Sequence, residues 1–111
     1  MTPRLATGIW VSAYLARLRA AAIPVYVTAR GDDTAGAVLV KVATMDGRAS
    51  AWQRSVDLMT GDRTWMVLTE GDESAVDAAV TRQRGFDPDL WVIEIEDRAG
   101  RHLLDTPGLD A

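Results

Sequence analysis

Apolar and polar side chains alternate along residues 91–96, WVIEIE, more regularly than elsewhere in the chain. Successive side chains of a β-strand point to opposite faces of a sheet, so this spacing predicts that Trp91, Ile93 and Ile95 share one buried face. Strand-like alternation or β-branched composition also occurs at residues 5–9, 25–30, 38–42 and 64–69. Together with the partners of two expected hairpins, these segments predict about six strands.

Two segments have the spacing of amphipathic helices. The first is expected to begin near Ser12, a plausible N-cap, and to end before Pro24, because the residue preceding a proline is kept out of the α region. The second is expected to begin at Asp72, with Glu73 favourably placed in its first turn, and to end at Gly85 in a left-handed cap. Its apolar face is narrow, which predicts a helix lying on the surface of a sheet.

A turn at residues 45–47, MDG, predicts a β-hairpin. If the loop has three residues, Trp52 lies opposite Val40, whereas a two-residue loop would place Trp52 opposite Lys41. We favour the three-residue loop, because Gly47 then takes the left-handed position that such loops need.

These elements predict an α+β fold, in which two helices pack on one face of a mostly antiparallel sheet of about six strands. A chain of 111 residues with 48% apolar and 25% charged residues is typical of one globular domain. We expect a single compact domain at residues 1–105, followed by a flexible tail at 106–111.

Charge and cysteine content narrow the classes of function. The formal net charge of −4 disfavours nucleic acids and anionic membranes as partners. The chain has no cysteine, which excludes disulfide scaffolds, thiolate nucleophiles and zinc–thiolate sites. The N-terminal region imitates a signal peptide only loosely, because Arg17 and Arg19 interrupt the uncharged run at 5–16. We therefore expect a cytoplasmic protein with no cofactor, whose partner is another protein or a second copy of itself.

Three segments carry a resemblance to a known family. They are GIWVSAYLARLRAA near the N-terminus, GDDTAGAVLVKV with the DGRA turn after it, and RQRGFDPDLWVIEIEDRAG. In this order they resemble the small bacterial domain-of-unknown-function family 1491, over nearly the whole chain. The resemblance implies a compact stand-alone cytoplasmic protein. That family has no established activity, so it implies no catalytic residue.

One group of residues has the chemistry of an enzyme site. A second hairpin, with its loop at residues 98–100, would place His102 opposite Glu96, and Glu94 shares the strand face of Glu96. A carboxylate beside the only histidine is suited to general-base catalysis or to binding a metal ion, with Asp97 in support. An ordinary cross-strand ion pair explains the same arrangement, so an enzyme using Glu94, Glu96 and His102 is the alternative hypothesis.

The favoured hypothesis is a non-catalytic binding or assembly module. Its candidate binding residues flank the end of the second helix and the turn after it, and they are Arg82, Arg84, Phe86, Asp87, Asp89 and Trp91. Arginines there can clamp an acidic partner, and they also stabilise a helix C-terminus. Three tryptophans, Trp52, Trp65 and Trp91, fall on apolar faces, which favours core packing over a stacking platform.

Overall fold

A computed structural model of the chain describes residues 5–105, which form two helices and one five-stranded sheet. The elements are α1 (Thr7–Ala20), β1 (Val25–Ala29), β2 (Val38–Ala43), β3 (Arg48–Val56), β4 (Arg63–Asp72), α2 (Glu73–Phe86) and β5 (Trp91–Glu96). The strand order is β1-β5-β2-β3-β4, and within this range only β2 and β5 are parallel. The predicted α+β class and mostly antiparallel sheet are confirmed, with five strands instead of about six. The predicted tail at 106–111 lies outside the described residues.

The difference in strand number arises at both ends of the described chain. Residues 101–105 form no strand, and the segment expected to be a first strand contains the start of α1. Ser12 is therefore inside α1, and its prediction as the N-cap is wrong. The helix starts early because the loop before β2 binds its first turn. The backbone N–H of Gly8 donates to Asp33 O at 2.8 Å, and Thr7 Oγ1 donates to Gly36 O at 2.8 Å.

The two helices pack on opposite faces of the sheet, so the prediction that both lie on one face is wrong. Val40 and Val42 of β2 belong to the core cluster under α1, whereas Leu39 belongs to a second cluster under α2. β2 and β5 form a parallel pair inside the sheet, and parallel strands are usually covered on both faces. The first cluster also contains Trp91, Ile93 and Ile95. Their predicted burial on one face is confirmed.

The hairpin of β2 and β3 has the predicted register. Val40 pairs with Trp52, and Gly47 has a φ of +85°. β3 then continues past its last paired position with β2, where Gln53 lies opposite Leu39. Beyond this point β3 pairs with β4 alone. We call residues 54–65 the arm.

No helix among residues 5–105 is long and apolar enough to cross a membrane.

Candidate functional site

The structure separates His102 from the two glutamates of the predicted enzyme site. Glu94 and Glu96 lie on the α2 face of β5, and His102 contacts Trp52 of the other core cluster. The predicted hairpin register, with His102 opposite Glu96, is therefore wrong. β5 already pairs with β1 on one edge and β2 on the other, so it has no free edge for a following strand.

The chain after β5 instead turns away from the sheet. Asp97 O accepts the backbone N–H of Gly100 at 2.9 Å, and the Asp97 carboxylate accepts the backbone N–H of Arg101 at 2.6 Å. The Arg101 guanidinium also donates to this carboxylate, at 2.9 and 3.1 Å. These hydrogen bonds hold the pKa of Asp97 below its ordinary value. Asp97 therefore stabilises the turn and does not support Glu96.

Glu94 belongs to a cluster of charges around Lys41, which is only 4% exposed. The Lys41 ammonium donates to Asp77 at 2.6 Å, Glu73 at 2.8 Å and Glu94 at 3.1 Å. Burial lowers the pKa of Lys41, but the three hydrogen-bonded carboxylates outweigh burial and raise it above its ordinary value. Lys41 is thus a protonated cation that neutralises acidic groups, not a nucleophile or a base.

Glu96 and His102 have separate neighbours. Glu96 hydrogen-bonds with the half-exposed Tyr26, and this hydrogen bond raises the pKa of the phenol. His102 Nδ1 accepts the backbone N–H of Leu104 at 3.0 Å, and its ring lies 4.5 Å from that of Trp52. Within residues 5–105 no three His, Asp or Glu side chains are arranged to hold a metal ion. The geometry of the alternative enzyme hypothesis is not present.

The six predicted binding residues have different roles. The Arg84 guanidinium donates to Leu90 O at 3.0 Å and to Arg30 O at 2.8 Å, so it joins α2 to two loops. Trp91 is buried, and its indole N–H donates to Asp32 O at 2.8 Å. Asp87 accepts the backbone N–H of Asp89 at 3.0 Å. These three residues hold the turn together.

The other predicted binding residues, Arg82, Phe86 and Asp89, are exposed, with Phe86 80% exposed. α2 runs through Gly85 to Phe86, and its C-cap is Asp87. The prediction that Gly85 ends the helix in a left-handed conformation is therefore wrong. Asp72 occupies the predicted N-cap position and Glu73 lies in the first turn, but the Asp72 side chain makes no capping hydrogen bond.

The structure contains a cleft of about 600 Å³ that the sequence did not predict. It lies between the start of α1, the loop before β2, the end of α2 and the arm. Its aromatic, charged and amide lining residues are Trp10, Trp65, Arg54, Arg63, Asp87, Gln53 and Gln83. Asp87 is thus the one predicted binding residue that lines the cleft.

One wall of the cleft contains Trp10 and Trp65, whose rings stack with each other and with the buried Tyr14. The rings of Trp65 and Trp10 are 5.5 Å apart, and those of Trp10 and Tyr14 are 4.8 Å apart. The guanidinium of Arg54 lies 5.0 Å from the Trp65 ring and 5.4 Å from the Trp10 ring. These distances are within the range of cation–π contacts.

A second cavity of about 380 Å³ lies against the same wall. It shares Arg54, Arg63 and Trp65 with the cleft and adds Trp52 and His102. Trp52 and Trp65 pack against the core, as predicted, and they also line these cavities. Side chains alternate between the two faces along β3 and β4, which puts tryptophan and arginine on one face of the arm. This alternation could have predicted the wall from the sequence.

The fold and these surfaces define a class of protein: a small α+β domain, with one helix on each face of a five-stranded sheet and a cleft at one end. The chain belongs to the family of proteins of unknown function DUF1491, whose family model matches residues 5–105. No curated protein matches the chain.

Solved structures support this assignment. The chain is 41% identical to a DUF1491 family protein from Caulobacter crescentus CB15 in a crystal structure, with a TM-score of 0.83 over 91% of this chain and 95% of that one. An NMR structure of a DUF1491 family protein from the same organism gives 40% identity and a TM-score of 0.80, covering 93% of this chain and 94% of that one. A solution structure of a protein from A. tumefaciens is 29% identical, with a TM-score of 0.70 over 85% of this chain and 86% of that one.

Proposed function

We propose that the protein is a non-catalytic assembly module that pairs with a second copy of itself through the edge of β4. The observation that carries the proposal is the outer strand itself. β4 is ten residues long, is the last strand of the sheet, and has no neighbour on its outer edge within residues 5–105. Such an edge presents a row of backbone donors and acceptors that another strand can use.

The middle of β4 is apolar and exposed. Met66 is half-exposed and Val67 is 39% exposed, and they point to opposite faces of the strand. Residues 63–72 contain no proline and no lysine, two residue types that commonly protect an edge from pairing. A register shift between Ala51 and Trp52 of β3 marks a bulge in this pair. Residues 63–67 and 69–72 pair regularly with β3 on either side of this bulge.

The charges along β4 favour a second copy as the partner. Arg63 is at the start of the strand, whereas Glu70 and Asp72 are near its end. In an antiparallel pair of identical strands, the basic start of one copy lies beside the acidic end of the other. Both contacts form at once, because a two-fold axis makes the interface self-complementary.

The opposite edge of the sheet is less suited to pairing. β1 has five residues, and its register with β5 shifts between Val27 and Ala29. The exposed turn residues Arg82, Phe86 and Asp89 form a second contact region for the partner, because a large exposed aromatic side chain is common at interfaces.

Size-exclusion chromatography with light scattering tests the proposal. We expect a particle of twice the 12.0 kDa chain mass at micromolar concentrations. Val67→Lys should convert it into a folded monomer, because a charge in the middle of the edge opposes pairing. Val27→Lys on β1 is a matched control, since Val27 is 37% exposed and Val67 39%. A wild-type protein that is monomeric at 100 μM, a concentration on the order of tenfold above the Kd of a useful dimer, would refute the proposal. A Val67→Lys protein that is still dimeric would also refute it.

A further inference from the structure

We propose that the cleft binds a small organic anion that carries a flat ring, with its anionic group held by Arg54 and Arg63. This inference does not require the pairing through β4, although Arg63 takes part in both proposals. The cleft has a volume of about 600 Å³. Pockets that enclose metabolite-sized ligands typically have roughly 300–1,000 Å³.

The arm places the two arginines on one wall. Arg54 pairs with Trp65 across β3 and β4, and Val56 pairs with Arg63 two positions further along. Arg54 and Arg63 are therefore diagonal neighbours on the same face of the strand pair, within reach of each other's long side chains. Both residues line the cleft and the second cavity.

Guanidinium groups are suited to carboxylates and phosphates, because their donors form a planar fork that binds two oxygens at once. Arg54 and Arg63 therefore give one wall of the cleft two guanidinium groups with donors for an anionic group.

The tryptophans of this wall favour the flat ring of the ligand, as the arginines favour its anionic group. Trp65 is only partly buried and lines both cavities, and the Arg54 guanidinium lies over it at 5.0 Å. A flat ring can stack on the indole or on the guanidinium plane. A ligand that has both a ring and an anionic group therefore uses the wall more fully than either part alone.

The far wall fixes the orientation of the ligand. Asp87 and Gln83 of the α2 end line the cleft, and the Asp87 carboxylate disfavours an anion there. We infer that the anionic group lies against the arm, while hydrogen-bond donors on the ring face the end of α2.

NMR titration of the ¹⁵N-labelled 12.0 kDa protein tests this inference. The probes are AMP, a phosphate on an amino-bearing ring, and indole-3-acetate, a carboxylate on a ring. Adenosine and inorganic phosphate are the matched half-ligands. We expect saturable shifts of the Trp65 indole N–H with one of the two complete probes, which tells a phosphate source from a carboxylate source. Each half-ligand should bind at least about tenfold more weakly, a difference of about 1.4 kcal/mol.

Arg54→Gln and Arg63→Gln should each weaken binding about tenfold, because each removes a charge-assisted hydrogen bond. Arg48→Gln is the control, since Arg48 is exposed, lies on β3 beyond the cleft, and pairs with Asp72. If Arg54→Gln loses its folded spectrum, Arg63→Gln and Trp65→Phe take its place. The monomeric Val67→Lys variant should bind the probe normally, which separates this inference from the pairing of β4.

Three results would overturn the inference: no saturable shift with either complete probe at 10 mM (roughly the limit of useful affinity), equal binding of phosphate and AMP, or unchanged binding in both arginine variants.

Discussion

The Lys41 ammonium of the central strand β2 lies 2.6 Å from the Asp77 carboxylate on α2. Lys41 points to the same face as Leu39, where α2 covers the sheet, and it reaches Glu73 and Glu94 as well. A lysine inside a strand that is otherwise apolar is costly unless its charge is paired. Here the pairs join the helix to two strands, so the cation contributes to the attachment of α2.

Lys41→Met should lower the free energy of unfolding by about 2–4 kcal/mol, since it leaves three carboxylates close together without their cation. Asp77→Asn should cost less than about 1 kcal/mol, because the Asp77 side chain is 54% exposed and water screens its charge. Urea denaturation of both variants measures the difference. A Lys41→Met protein as stable as the wild type would show that the cluster does not hold the helix.

Glycine is required where the loop before β2 approaches the turn before β5. A Cβ on Gly31 would overlap the carbonyl oxygen of Asp89 and lie 2.7 Å from the backbone N of Trp91. Gly31→Ala should therefore destabilise the protein by more than about 2 kcal/mol, because backbone atoms must move. Gly85→Ala is the control. Nothing lies within 4 Å of its Cβ position inside α2, so it should stabilise the protein by about 0.5–1 kcal/mol. Thermal melts that rank these variants in the opposite order would contradict this packing.

Tyr14 connects α1 to the segment after β5. Its hydroxyl donates to the carbonyl of His102 at 2.6 Å, and its side chain is fully buried, which raises the pKa of the phenol. Tyr14→Phe should lower the free energy of unfolding by about 1–2 kcal/mol, because the carbonyl loses its donor. Tyr26→Phe should cost less, since Tyr26 is half-exposed. Equal urea midpoints for Tyr14→Phe and the wild type would argue against this attachment.

The sequence predicted the parts of the fold that depend on local patterns. The alternation of Trp91, Ile93 and Ile95 indicated a buried strand face, and the turn at Gly47 set the register of Trp52 against Val40. Both features are determined by side-chain periodicity and by the backbone preferences of a few adjacent residues.

Strand order and the cleft depend instead on contacts between distant segments. Nothing within residues 91–96 shows that both edges of β5 are occupied, yet that occupancy prevents the hairpin that would have joined Glu96 and His102. The cleft combines Trp10, Arg54 and Asp87 from three separate parts of the chain. Single-sequence periodicity carries no information about such pairings.

His102 gives the protein a specific dependence on pH. Burial lowers the pKa of His102 below its ordinary value of 6.5, although the charge of Asp105 opposes this shift. The geometry agrees, because Nδ1 accepts a hydrogen bond from Leu104 and cannot do so when protonated. The unfolded chain therefore binds a proton more readily than the folded protein. Stability from this group is fully present above pH 6.5 and is lost as the pH falls through the lowered folded value.

Urea denaturation at pH 7.5 and 5.5 measures this loss directly. We expect the urea midpoint of the wild type to be lower at pH 5.5 than at pH 7.5. We expect a smaller decrease in His102→Gln, which retains a polar side chain but does not titrate. His102 is the only histidine, and the carboxylates with lowered pKa, Asp46 and Asp97, titrate below their ordinary value of 3.8. A pH response that is unchanged in His102→Gln would mean that His102 is not the responsible group.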